Sequence, residues 1–201
     1  MRKISVNTFV TLDGVMQAPG GPEEDVSGGF KYGGWTMYYI DKSADKIMED
    51  FMAEPFELLL GRKTYEIFAE YWPKIKNGAI ADKFNKTKKY VVSTTLNKAE
   101  WSHSILIKNN AAEEIQKLKQ QDGPELQVYG SGNLLQTLIK NSLVNRFQVC
   151  IFPVLVGKGK KLFEEGLNAS AFKLTNMKST DSGVIVAAYE PAGEIKIGSL
   201  A

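Results

Sequence analysis

Apolar and polar positions along this chain switch repeatedly between a period of two and a period near 3.6, and the switches mark its elements. Residues Lys3 to Leu12 alternate and are rich in Val, Phe and Thr, which predicts a strand closed by the turn pair Asp13-Gly14. Ala18 to Gly34 holds six glycines and two prolines and predicts a mobile loop with the character of a lid. Ile47, Met48, Phe51 and Met52 recur at helical spacing within Asp41 to Ala53, with Ser43 as the expected N-cap and Pro55 beyond the end. Glu57 to Leu60 reads as a short buried strand that turns at Gly61 into a helix carrying Tyr65, Phe68 and Ala69, ended by Trp72-Pro73. No element is assigned from there to Lys88.

Strands follow at Lys88 to Thr94 and Ser104 to Ile107, then a helix over Ala111 to Gln121 with Ile115 and Leu118 facing inward. Glu125 to Tyr129 repeats the earlier pattern, a strand running into glycines and then into an apolar helix, Asn133 to Asn141. Val144 to Val156 is β-branched and reads as a central strand, while Phe172 to Leu174 and Val184 to Tyr189 complete the sheet. The alternation implies an α/β fold, with helices on both faces of a mixed, mainly parallel sheet and an antiparallel hairpin at its C-terminal end. One domain is expected over 1–190, followed by a short polar tail over 191–201.

Charge changes this picture only by exclusion. Lysine and arginine number 25 against 23 acidic residues, a net charge of +2 that gives no broad field for nucleic acid or a membrane surface. One cysteine, Cys150, and one histidine, His103, leave no disulfide, no zinc cluster and no nucleophilic triad to expect. Polar Asn7, Thr8, Thr11 and Asp13 interrupt the N-terminal apolar stretch, so no export signal or membrane span is read and a cytoplasmic location is expected.

Any anion site is therefore local, and the strand-to-helix junctions are where to look, because open α/β sheets bind ligands beyond the carboxyl ends of their strands. At Gly61-Arg62-Lys63-Thr64 the helix start offers free N–H groups, two cations and a hydroxyl. At Gly130-Ser131-Gly132-Asn133-Leu134 a backbone without side chains admits close approach of a phosphate, and the following helix points its dipole at the anion. Two such junctions suit the separated phosphates of a dinucleotide, NADPH. Ser93, Thr94 and Thr95, past a third strand, supply hydroxyls to join Arg62 or Lys63 around the adenosine-ribose phosphate. Neither the G-x-G-x-x-G fingerprint nor the P-loop pattern is present. Trp35, Met37 and Tyr38, after the glycine-rich loop, are candidates to wall a flat aromatic substrate.

The segments Leu58-Leu59-Leu60-Gly61-Arg62-Lys63-Thr64-Tyr65-Glu66 and Val128-Tyr129-Gly130-Ser131-Gly132-Asn133-Leu134 resemble the two cofactor motifs of dihydrofolate reductase-like proteins. With Phe152-Pro153-Val154-Leu155-Val156-Gly157, the chain looks closest to the reductase (RibD C-terminal) domain of bacterial riboflavin biosynthesis and its relatives, from about Lys3 to Tyr189. That resemblance implies the dihydrofolate reductase-like three-layer α/β/α fold, NADPH as cofactor, hydride transfer to a small heteroaromatic substrate of pterin or pyrimidine type, and a homodimer. The run Val144 to Val156 is the first place to look for its interface. In Thr11-Leu12-Asp13-Gly14 it implies a residue beside the substrate, so Asp13 is the candidate to orient or protonate it; on the dihydrofolate reductase pattern Asp45, or Glu49, would carry the substrate carboxylate. The riboflavin-type reductases place glutamate where this chain has Tyr129. A true dihydrofolate reductase and a non-catalytic NADPH-binding dimeric module are the alternatives.

Overall fold

A computed structural model describes residues 1–199; Leu200 and Ala201, the end of the expected tail, lie outside the described residues. The strands are β1 (Ile4–Thr11), β2 (Phe56–Gly61), β3 (Lys89–Val92), β4 (Ser104–Ile107), β5 (Glu125–Val128), β6 (Arg146–Phe152), β7 (Ala171–Ser179) and β8 (Ile185–Gly193). The helices are α1 (Lys42–Phe51), α2 (Arg62–Tyr71), α3 (Ala79–Lys86), α4 (Ala111–Gln120) and α5 (Gly132–Lys140). One eight-stranded sheet has the order β4-β3-β2-β5-β1-β6-β8-β7. The first six strands in that order run parallel, so their carboxyl ends share one edge, and β8 and β7 close the other side antiparallel. The expected layering is found.

Alternation along each strand divides the core into two faces. Ile4, Val6 and Val10 of β1, with Leu59, Leu126 and Val128, pack with Ile115 and Leu118 of α4 and Leu134, Leu135 and Leu138 of α5. On the opposite face Leu58 and Leu60 meet Tyr65 of α2 and Phe84 of α3, while Cys150 and Phe152 of β6 meet Ile47 of α1. Because β2 and β5 are neighbours, α2 leaves their shared carboxyl edge over one face and α5 over the other. A crevice must open between the two helix starts.

Several expectations change. Helix α3 occupies the stretch left without an element; its apolar Ile80, Ala81 and Phe84 share one face at helical spacing, and rings that stack Phe84 on Phe68 and set it edge-on to Trp72 hold it. Strand β6 ends at Phe152, before Pro153, whose missing N–H cannot continue a ladder. It is paired on both edges, by β1 and β8, which removes the run Val144 to Val156 as an open interface strand. Strand β7 is longer than expected because it lies exposed at the sheet edge, where no apolar run is needed to hold it, and β8 continues to Gly193, into the expected tail. The glycine-rich segment expected to be mobile is strapped down. Gln17 donates to the carbonyls of Asp25 and Ser27, Thr36 donates to that of Pro19, and Gly34 N–H bonds Ala18 O.

The N-cap of α1 is Asp41, not Ser43, which sits inside the first turn and donates to the Asp41 carboxylate. Asp41 also accepts from Ala44 N–H at 2.8 Å and, through its other oxygen, from Ser182 N–H at 2.9 Å, tying α1 to the β7–β8 turn. The Ser43 hydroxyl and these N–H groups hold its pKa down to about 2. A carboxyl depressed in the folded state contributes stability above its unfolded value, about 3.9, and that contribution is lost as pH falls toward 2. Asp41→Ala should therefore lower Tm at pH 7, with the gap to the wild type narrowing as pH is taken from about 4 to about 2. Melts at the two ends of that range decide it, and equal Tm values at pH 7 would refute it.

Candidate active site

The two glycine junctions meet. Gly61 ends β2 and begins α2, and a Cβ placed on it would lie 2.2 Å from Ser131 Oγ, 2.5 Å from Ser131 Cβ and 3.3 Å from Leu134 Cβ. No side chain fits there, so glycine is what lets the start of α5 close onto the end of β2. Gly130 has φ +105°, a conformation that side chains rarely adopt, while a Cβ there would make only ordinary contacts with Met16 and Thr64. Here the backbone conformation is the constraint. Ser131 follows at φ +87°, a strained value for a residue with a Cβ.

Electrostatics single out the same two helices. The α2 and α5 starts have no side-chain cap and no acidic residue in the first turn. By contrast α1, α3 and α4 carry Asp45, Asp82, and Glu113 with Glu114 in theirs. The free N–H groups and positive dipole ends of α2 and α5 thus face the crevice without a carboxylate to neutralise them. Arg62 pairs with Glu66 at 3.0 Å, both side chains half-exposed, and Lys63 is exposed. Because Gly61 pairs with Val92, the β3 end lies beside the α2 start. There Thr94 and Thr95 are exposed, but Ser93 is buried and its hydroxyl accepts from Thr95 and Leu96 N–H. Ser93 shapes the turn rather than offering a hydroxyl, which corrects its assignment as a direct ligand.

On the substrate side Asp13 holds two loops together. Its carboxylate accepts from Thr11 Oγ1 at 2.6 Å and from Gly157 N–H at 2.8 Å, fastening the turn after β1 to the segment after β6. The Thr11 hydroxyl and these N–H groups push its pKa below the ordinary carboxylate value. An ionised acceptor has no proton to give at neutral pH, so the protonating role expected of Asp13 is withdrawn. Trp35 donates to Gln17 O at 2.8 Å and stands edge-on to Phe152 at 5.3 Å. Tyr38 is 90% exposed, while its neighbour Tyr39 packs onto Phe152, so of the two rings it is Tyr39 that joins Trp35 there. Asp45 and Glu49 are exposed, whereas the buried side of α1 carries Ile47. The Asp45 carboxylate suits the helix dipole and leaves its substrate assignment without support from the fold.

Beneath α1 runs a polar stripe that the sequence reading did not pick out. Tyr129 donates its hydroxyl proton to Gln127 at 2.6 Å, and Gln127 donates to Phe51 O at 2.8 Å. Burial raises the Tyr129 pKa, so the phenol stays protonated. Asn7 and Gln148 are register partners across β1 and β6 and both are buried. Neither amide atom of Asn7 has a partner, nor does Gln148 Oε1. Each such orphan costs about 1–3 kcal/mol, and stripes of this kind persist where something else completes them. The available signal was polar residues alternating through strands buried on both faces.

The model of the RibD C-terminal domain family matches residues 2–186. The chain belongs to the RibD C-terminal domain family. It is 30% identical over 192 residues to the uncharacterized protein YyaP of Bacillus subtilis (strain 168), with 94% of each chain covered. A pyrimidine reductase-like protein of Corynebacterium diphtheriae has a similar structure, with a TM-score of 0.65 at 11% identity, covering 96% of this chain and 93% of the other. So does dihydrofolate reductase of Enterococcus faecalis complexed with NADP(H), with a TM-score of 0.60 at 12% identity, covering 94% and 96%. The fold is dihydrofolate reductase-like.

In this RibD C-terminal domain, then, the Gly61–Ser131 contact brings Gly61, Arg62, Lys63 and Thr64 beside Gly130, Ser131, Gly132 and Asn133. Leu134 is buried behind them as packing, against Gly61. Asp13 and Trp35 stand on the β1 and β6 side of the crevice, and Tyr38 and Asp45 lie on exposed surface.

Proposed function

We propose that this RibD C-terminal domain protein is an NADPH-dependent reductase that delivers a hydride to a small pterin- or pyrimidine-like substrate. One observation carries the reading: the contact between Gly61 and Ser131 brings two uncapped, acid-free helix starts to neighbouring strand ends. That cradle fits a dinucleotide. The N–H groups at the starts of α2 and α5 would take the pyrophosphate, and Arg62, Lys63, Thr94 and Thr95 would take the phosphate on the adenosine ribose. The names of two structural relatives, pyrimidine reductase-like protein and dihydrofolate reductase with NADP(H), support the same class.

The bound cofactor supplies the hydride, and the chain supplies position. Trp35, Tyr39 and Phe152 make an edge-to-face aromatic wall against which a flat ring can lie and which keeps water off one side. Asp13, held ionised by Thr11 and Gly157, fastens the turn after β1 to the segment that follows Phe152 at the end of β6. Dihydrofolate itself is not the proposed substrate, since Asp45 and Glu49 stand exposed. A homodimer in the cytoplasm belongs to the same proposal; β7, whose outer edge bears the exposed Phe172, Leu174 and Met177, is its candidate interface. Among the described residues no helix is long and apolar enough to cross a membrane.

NADPH should quench the emission of the three tryptophans saturably, and NADH should do so more weakly. Oxidation of NADPH at 340 nm should follow addition of a pterin or pyrimidine acceptor. Calorimetry that registers no heat with either nucleotide would overturn the cofactor assignment; binding without turnover across such acceptors would favour the non-catalytic module.

A further inference from the structure

We propose that Asn7 and Gln148 form an uncharged amide floor in the crevice, which recognises the lactam edge, –NH–C(=O)–, of a neutral heterocyclic substrate. The inference rests on the reductase reading of the same crevice and names the substrate chemistry that reading leaves open.

The two amides are adjacent by register on parallel β1 and β6 and share one face of the sheet. Asn7 is 4% and Gln148 8% exposed, yet three of their side-chain polar atoms lack any partner. The obvious local partner is already committed. The Tyr129 hydroxyl lies beside Asn7, but its proton goes to Gln127, which in turn is spent on Phe51 O. The phenol oxygen, having given its proton to Gln127, faces Asn7 as an acceptor only, so it draws Nδ2 toward itself and leaves Asn7 Oδ1 and the second Nδ2 hydrogen to be met from the crevice.

What surrounds the orphans defines the ligand. Two residues further along β1 and β5, Phe9 and Tyr129 are half-buried, so the stripe opens toward the carboxyl edge where the proposed cofactor cleft lies. Phe9 and Trp35 each stand edge-on to Phe152, which continues the stripe as an aromatic wall. Arg146, the charged residue of β6 on this face, lies at the other end of the stripe opposite Ser5 and is paired with Glu125 at 3.0 Å. A flat ring that enters here meets aromatic carbon on its side and, at its inner edge, a carboxamide that both donates and accepts. A lactam presents the complementary acceptor and donor in the same spacing. A neutral amidine edge presents the same donor and acceptor in exchanged positions, which the carboxamide meets only by turning Nδ2 away from the Tyr129 oxygen, and when protonated it brings a charge that nothing on the floor balances.

The test compares pterin, which has the lactam, with 2,4-diaminopteridine, in which an amino group replaces its oxygen. Binding to the wild type is measured by calorimetry with and without saturating NADPH. Pterin should bind at least ~10-fold more tightly than its diamino counterpart, since a site built to hydrogen-bond one group rejects the analogue lacking it. Asn7→Leu should weaken pterin by at least ~100-fold and abolish the preference, with the Kd for NADPH unchanged. Gln148→Met, which preserves length and removes the orphan acceptor, should weaken pterin about 10-fold and carries the test if the Asn7 variant does not fold. Equal binding of the two probes by the wild type, absence of pterin binding, or a raised Tm in Asn7→Leu with pterin binding intact would each overturn the proposal, the last showing that the amides hold only buried water. Pterin binding that depends on Asn7 in a protein with no affinity for NADPH would leave the amide floor standing and remove the reductase reading, so the two failures are separable.

Discussion

Gly61→Ala should lower NADPH affinity by at least ~100-fold and Tm by roughly 5 °C. The added carbon would sit 2.5 Å from Ser131 Cβ, a contact that no side-chain rotation relieves, and 3.3 Å from Leu134 Cβ. Helix α5 would have to move off the end of β2 by about an ångström, and misplacement of that size is enough to cost two orders of magnitude in a preorganised site. The second site makes the argument a cycle. Ser131→Gly removes the obstructing Cβ and relaxes a residue held at φ +87°, so alone it should be neutral or stabilising. Combined with Gly61→Ala it should restore most of the lost affinity and melting temperature, leaving only the milder contact with Leu134. Fluorescence titration and thermal melts on the four proteins give the coupling. An NADPH Kd within twofold of the wild type in Gly61→Ala, or no recovery in the double variant, would show that the crevice is not where the nucleotide binds.

Arg62→Ala should weaken NADPH by roughly 10- to 100-fold and leave NADH nearly unchanged, because the guanidinium is assigned to the one phosphate that the two nucleotides do not share. Arg62 now rests against Glu66, and the pair is exposed by 40% and 45%. An exposed pair of this kind is worth about 0–1 kcal/mol, so it yields readily to a phosphate. Glu66→Gln should consequently tighten NADPH a few-fold, with the gain shrinking as salt is raised. Titrations of both nucleotides at two ionic strengths separate this assignment from a general loss of positive charge. If the Arg62 variant loses NADH and NADPH in equal measure, the residue holds the pyrophosphate and the adenosine side must lie elsewhere.

The two junctions were legible because each is a local event. A strand-period run ends in glycine, a helix-period run begins, and the residues proposed to bind an anion are the same few that make the turn. Helix α3 went unassigned although Ile80, Ala81 and Phe84 recur at helical spacing, because eight residues make little more than two turns and no side-chain cap marks their start. Strand β7 was underestimated because an exposed edge strand needs no apolar alternation. The choice between Tyr38 and Tyr39 turns on which ring reaches Phe152, more than a hundred residues along the chain. Asp13 is held ionised by the Thr11 hydroxyl two residues before it and by Gly157 N–H, and the second of these partners is supplied only by the fold.

By itself the sequence determined where strands run into helices, that glycine stands at both junctions, and that the charge available for an anion is local. Those are properties of dihedral preference and of periodicity, which a residue and its near neighbours decide. Only the tertiary structure set β2 beside β5, and with them Gly61 against Ser131. It also gave Asn7 a partner in register and withheld one from its amide. Adjacency, burial and the accounting of hydrogen bonds depend on residues far apart in the chain, so the two glycine junctions could be read from their parts while their meeting, and the polar stripe beside them, could not.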